Sequence, residues 1–206
     1  MSKYRLNIKI NDQDLKTIYK ANEQIVIVKH TAGNADSQVA WVSFKPFMNN
    51  TVDWENNFAV YASNTEVQHG AVINKLSDLA ATTKVMYNFE QGVFQKPEIV
   101  PSLGKNTYAV KNDMADYDGL TFGLAQDVQV NGIGMAKNPI NAVFVPYEQS
   151  ISMTPIEKVD IYLRSDINDG TVISHVSSVP LTVEYEENET EHTIAYNKET
   201  VFYRES

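Results

Sequence analysis

The chain alternates. Tyr4, Leu6, Ile8 and Ile10 are separated by Arg5, Asn7 and Lys9, so an extended segment here has one apolar and one polar face. Val159, Ile161 and Leu163 alternate with Asp160, Tyr162 and Arg164, and Leu181, Val183 and Tyr185 with Thr182, Glu184 and Glu186. Strands of this kind bury one face and wet the other, the habit of antiparallel sheets. Ile25-Val26-Ile27-Val28 and the segment from Val39 to Phe44 are apolar on both faces, which suits central strands between layers. No stretch has the strand–helix rhythm of a parallel sheet.

Turn residues punctuate the pattern. Asn11-Asp12, Gly33-Asn34, Asn49-Asn50, Asn56-Asn57, Gly92, Gly104, Gly119, Asn131-Gly132 and Asn168-Asp169-Gly170 read as hairpins and tight turns. Helix is scarce. Leu15, Ile18 and Tyr19 give Asp12 to Ala21 a helical spacing behind an Asn11 or Asp12 cap, and Leu76 to Ala81 is expected to form a second helical turn. Residues 95–105 read as a connection crossing an edge, and 136–155 as a packed loop with an edge strand. The expected fold is all-β: one antiparallel β-sandwich over residues 1–206, immunoglobulin-like or jelly-roll-like, with about a dozen strands and at most one or two short helices.

Composition narrows the chemistry. The 206 residues include no Cys, which excludes disulfides, a thiol nucleophile and thiolate metal sites. Seventeen Lys and Arg against 26 Asp and Glu leave a net charge of −9, the wrong sign for a phosphate backbone, so nucleic acid is excluded as a partner. The alternating N-terminus lacks the apolar core of a signal peptide, and no apolar run approaches the ~20 residues of a membrane helix. The expected compartment is therefore the cytoplasm, with release by lysis or a leaderless route still open. The sequons at Asn49 and Asn188 read as chance matches.

Catalytic signatures are missing. His30, His69, His175 and His192 are far apart in sequence, and no pair has metal-site spacing. Asp113, Asp116 and Asp118 before Gly119 have the oxygen chemistry of a Ca²⁺ loop, though not EF-hand spacing, and are the candidate metal ligands. Asp166 to Gly170 starts like an EF-hand loop but has Thr171 at the sixth position, so it reads as a hairpin turn. Gly132-Ile133-Gly134 lacks a following helix, and there is no nucleophile elbow or phosphate loop. No cofactor is called for, and nothing assigns an oligomeric state.

The densest aromatic patch comprises Trp41, Phe44, Phe47, Trp54, Phe58 and Tyr61, interleaved with Asn49, Asn50, Asn56 and Asn57. Exposed Trp and Tyr stack on pyranose faces while Asn holds hydroxyls, so Trp54, Tyr61 and these four Asn are the candidate ligand-binding residues; Trp54 is the one expected to be most exposed. The competing reading is that Trp41 and Phe58 are core residues of adjacent strands and the Asn are turn formers. The acidic run from Glu184 to Glu191 reads as the solvated tip of a hairpin joining strands 180–186 and 191–197.

Trp41-Val42-Ser43-Phe44-Lys45-Pro46, Trp54 through Tyr61-Ala62-Ser63, and Phe122-Gly123-Leu124-Ala125-Gln126 with Val130-Asn131-Gly132 resemble a family of small, poorly characterised β-rich proteins of bacteria and fungi. The resemblance covers most of the chain and implies a free-standing protein. It carries no activity and no functional residues.

The expected function is a non-enzymatic binding protein for a glycan, a lipid headgroup or another membrane component, or a protein. Its rivals are a membrane-active defence or insecticidal-type toxin, in which segments such as Lys84 to Glu90 or Gly119 to Val130 rearrange; a self-assembling inclusion protein; and a hydrolase with spatially assembled carboxylates.

Overall fold

The computed structural model describes residues 3–33, 37–173, 179–199 and 201–205. They form an all-β fold. The elements are β1 (Lys3–Ile10), α1 (Asp12–Lys20), β2 (Glu23–Gly33), β3 (Ser37–Phe44), β4 (Asn49–Ser63), β5 (Lys75–Ala80), β6 (Val85–Glu90), β7 (Val93–Phe94), β8 (Glu98–Ile99), β9 (Tyr108–Asn112), β10 (Gly119–Val130), β11 (Ile133–Pro139), β12 (Asn141–Pro146), β13 (Ser150–Ser165), β14 (Val172–Ile173), β15 (Leu181–Glu184), β16 (Glu191–Asn197) and β17 (Val201–Arg204).

Two sheets stack. In the first, β17, β16, β1, β4 and β10 are successive neighbours, with β11 and β12 sharing the far edge of β10. The long β4 is flanked by β1 along residues 49–55 and by β5 along 59–63. In the second sheet β3, β2 and β13 are neighbours; β15 and β9 share the other edge of β13, and β9 leads to β6, β7 and β8. Short pairings of β3 with β12 and β14 stitch the sheets along one side. Pairing is antiparallel except for β1 with β16 and β6 with β9, which are parallel and lie outside the wholly antiparallel expectation.

The alternation places the core. Leu6, Ile8, Val52, Val60, Phe122, Leu124 and Ile194 of the first sheet meet Ile25, Ile27, Trp41, Val42, Val159, Ile161 and Val183 of the second. The segments apolar on both faces owe this to further apolar clusters behind the sheets. Val26, Val28 and Ala40 pack with Tyr162, Ile167 and Ile173. Val39 packs with Tyr61, Ile73, Ala125, Ala142 and Val172. Close packing in that last cluster requires Gly123, because a Cβ there would run into the Asn141 carbonyl and the Tyr61 ring.

The helix forms where expected. Asn11 Oδ1 accepts from the Asp14 amide at 2.9 Å, Asp12 and Asp14 occupy the positive end, Lys20 the negative end, and Ile18 is buried. The Asn131-Gly132 hairpin also forms, both residues having positive φ (51° and 81°) as its tight turn requires.

Other expectations fail for tertiary reasons. Leu76 to Ala81 is not a helical turn; most of it lies in β5, recruited to the free edge of β4. Residues 136–155 hold more strand than expected: the end of β11, all of β12 and the start of β13, with a turn at 147–149 and with Pro139 and Pro155 both seated in ladders. Asn56-Asn57 is no turn, because β4 runs through it. At the acidic tip only Glu186 and Glu189 pair, as an isolated antiparallel bridge; the flanking strands do not continue it, because β15 pairs with β13 in one sheet and β16 with β1 and β17 in the other, so the chain crosses between sheets there. Gly119 to Val130 is a central strand, hydrogen-bonded on both sides. Among the described residues no helix is long and apolar enough to cross a membrane. Asn34 lies outside the described residues.

Candidate functional site

Four ladders break register around one point. The β2–β3 ladder shifts opposite Trp41, the β2–β13 ladder at Glu157-Lys158, and the β10 ladders with both β4 and β11 at Asp127, where β4 carries Glu55 to Asn57 in excess. Bulges re-aim side chains and concentrate beside functional sites. Here they surround Lys29, whose side chain has no exposed surface.

Lys29 extends the inward face of Ile25 and Ile27. Its Nζ donates to Gln126 Oε1 at 2.8 Å and to Glu157 Oε2 at 3.0 Å. The rings of Trp41, Trp54 and Phe58 each lie 5.4 Å from Nζ, a range at which ring quadrupoles stabilise a cation. Gln126 and Glu157 are themselves held: Gln126 Nε2 donates to the Glu55 carbonyl at 2.7 Å, and Trp54 Nε1 donates to Glu157 Oε2 at 3.2 Å. Trp41 Nε1 donates to the Gln126 carbonyl at 3.3 Å, spanning the two sheets. Burial lowers the Lys29 ammonium to about 8, against the opposing pull of Glu157.

The candidate rings are core residues, contrary to the expectation for Trp54. That side chain is 4% exposed, stacked on Tyr4 and edge-on to Trp41 and Tyr185, because its position in β4 faces the opposite sheet. Tyr61 is fully buried, donates to the Asn141 carbonyl at 2.5 Å, and its hydroxyl is pushed upward by burial. Asn50 is buried and functions as a brace, accepting from the Phe47 amide at 2.8 Å and from Asn131 Nδ2 at 3.3 Å. Asn49, Asn56 and Asn57 are exposed, and Asn56 donates to the Tyr4 hydroxyl.

Trp54 and Asn57 nevertheless come together in a groove of about 530 Å³ where β1, β4, β10 and β11 run side by side. Arg5, Asp53, Gln129 and Gly134 are successive cross-strand partners, forming one polar row across the sheet. Lys3 and Glu55 pair beside it at 3.2 Å, Arg5 Nε meets Asp53 Oδ1 at 2.6 Å, and Asp127 adds a third carboxylate to the lining. A Cβ added at Gly134 would meet open space.

The acidic loop does not assemble. Asp113 pairs with Lys111 at 2.6 Å, Asp116 and Asp118 are exposed, and no three His, Asp or Glu side chains converge among the described residues. Asp169 accepts from the Ser43 amide and hydroxyl at 2.6 and 2.7 Å, fastening its turn to β3. The histidines stay separate. His30 Nε2 lies 2.8 Å from Asp160 Oδ2, His69 Nε2 lies 3.1 Å from Arg164, His192 packs edge-on against Tyr185, and His175 is outside the described residues.

Burial pushes the Asp160 carboxyl up, but hydrogen bonds from His30 and Thr182 and the nearby Lys158 bring it to a net value below its ordinary 3.8. Such a carboxylate stabilises the fold fully above its unfolded value and loses that contribution as pH falls through the folded one. Urea midpoints measured across acid pH should therefore fall less steeply in Asp160→Asn than in the native protein. Equal slopes would remove Asp160 from the acid response.

The Lys29 cage escaped the sequence reading, although a signal existed. A cation two and four residues beyond inward-facing Ile27 and Ile25 has core parity, as has Gln126 after Leu120, Phe122 and Leu124. Comparison with known proteins returns no match to any family model, curated protein or solved structure.

Proposed function

We propose that this is a non-enzymatic binding protein whose groove across β1, β4, β10 and β11 takes a hydroxyl-rich ligand, a glycan. The observation that carries this reading is the row Arg5–Asp53–Gln129–Gly134, with Asn57 and Trp54 in the same lining. It alternates charged donors, carboxylates and an amide, the mixture that pairs with sugar hydroxyls through charge-assisted hydrogen bonds. Its volume falls within the ~300–1,000 Å³ typical of small-ligand sites. Lys3 and Arg5 are outnumbered by Asp53, Glu55 and Asp127, which disfavours an anionic lipid headgroup.

A glycan array probed with the labelled protein tests this. The expected result is binding to a restricted set of glycans, lost in Gly134→Trp, which fills the groove from a position with space for a side chain, while circular dichroism is unchanged. A blank array, or undiminished binding by folded Gly134→Trp, overturns the reading.

A further inference from the structure

We propose that Lys29 and Gln126 become joined by an intramolecular isopeptide bond, Lys29 Nζ to Gln126 Cδ, which ties the two sheets covalently, with Glu157 carrying the protons. Lys29 lies on β2 of one sheet and Gln126 on β10 of the other, and the Nζ already contacts Oε1 of the amide whose carbon it attacks, at 2.8 Å. Glu157 Oε2 touches the same nitrogen at 3.0 Å and is oriented by Trp54. The nitrogen that must leave, Gln126 Nε2, is held by its hydrogen bond to the Glu55 carbonyl at 2.7 Å. Three rings screen the site from water, which would otherwise compete as the nucleophile. Fixing amine and amide together in this way supplies the large effective concentration that amide exchange needs. The lowered ammonium, about 8, leaves a fraction of the amine neutral and nucleophilic at neutral pH.

The step balances without an oxidant or co-reactant. Glu157 takes one proton from the Lys29 ammonium, and the freed pair on Nζ forms the bond to Cδ. The protonated Glu157 then gives its proton to Nε2, the Cδ–Nε2 bond breaks and ammonia leaves. Glu157 takes the second proton from Nζ and ultimately returns it to the departing ammonia, so the products are the amide and ammonium. Glu157 is the carrier rather than the acyl donor because its carboxylate carbon is electron-rich, whereas the Gln126 amide is neutral.

Intact-mass spectrometry of the full-length protein under denaturing conditions, followed by peptide mapping, tests the bond and involves no glycan. The expected mass is lower than that of the processed sequence by one ammonia, with a branched peptide joining the segments around Lys29 and Gln126. Lys29→Met and Glu157→Gln should each show the unshifted mass. If those variants do not fold, the map of the native protein decides alone. A full sequence mass with linear Lys29 and Gln126 peptides overturns the proposal. So does loss of one water, which places the link on Glu157, or loss of ammonia without a branched peptide.

Discussion

Glu157→Leu is expected to cost about 3–5 kcal/mol or more of folding stability, measured by denaturant unfolding. The substitution removes the carboxylate paired with Lys29 at 3.0 Å and leaves an amine with no exposed surface among Trp41, Trp54 and Phe58, which must hold its charge uncompensated or give up its proton. Ring quadrupoles offset part of the desolvation, about 0.5–2 kcal/mol each at best. Without Glu157 the group that carries the protons of amide formation is also lost, so the bond does not form. The double variant Lys29→Met/Glu157→Leu should recover the desolvation part, because well-packed apolar replacements for a buried ion pair are commonly neutral or better. Its remaining deficit measures the covalent tie between positions 97 apart, for which loop-closure entropy predicts roughly 4–5 kcal/mol. A single variant within about 0.5 kcal/mol of the native protein would show that Lys29 is not a confined charge.

Trp54→Ala is expected to lose about 3–5 kcal/mol, the range for deleting a core aromatic. The side chain stacks on Tyr4 at 5.7 Å, meets Trp41 edge-on at 5.5 Å and Tyr185 at 5.1 Å, and donates to Glu157. Trp41 and Trp54 are the two tryptophans of the chain, so the substitution should also abolish their coupled near-ultraviolet dichroism. An exposed binding platform would behave differently, losing roughly 0.5 kcal/mol or less, with Trp41 dichroism intact. Equilibrium unfolding and dichroism on the same samples separate the two.

Strands that bury a single face were legible because their chemistry repeats every second residue. Lys3–Ile10 and the helix behind Asn11 emerge almost residue for residue. Pairing was not legible. Nothing local in Lys75–Ala80 states that it will complete an edge of β4, or in Glu184 to Glu191 that the chain will change sheets there. Those outcomes depend on which edges remain open after other strands have paired. The candidate site was half legible for the same reason. Asn57 and Trp54 border the groove, but Arg5, Gln129 and Gly134 come from strands that only tertiary pairing aligns. Trp54 was misjudged because the bulge at Asn56-Asn57 resembles a turn in sequence.

The parallel pairing of β1 with β16 has a consequence for synthesis. Leu6 and Ile8 find His192 and Ile194 as neighbours, and β2 finds β13 across a shorter but still long stretch of chain. While the ribosome is still translating the intervening strands, the edges of β1 and β2 stay open to any passing strand. Folding is therefore governed by late arrivals: its rate should be slow for the size of the domain, and a chaperone that shields those early edges would raise the yield more than one acting after release.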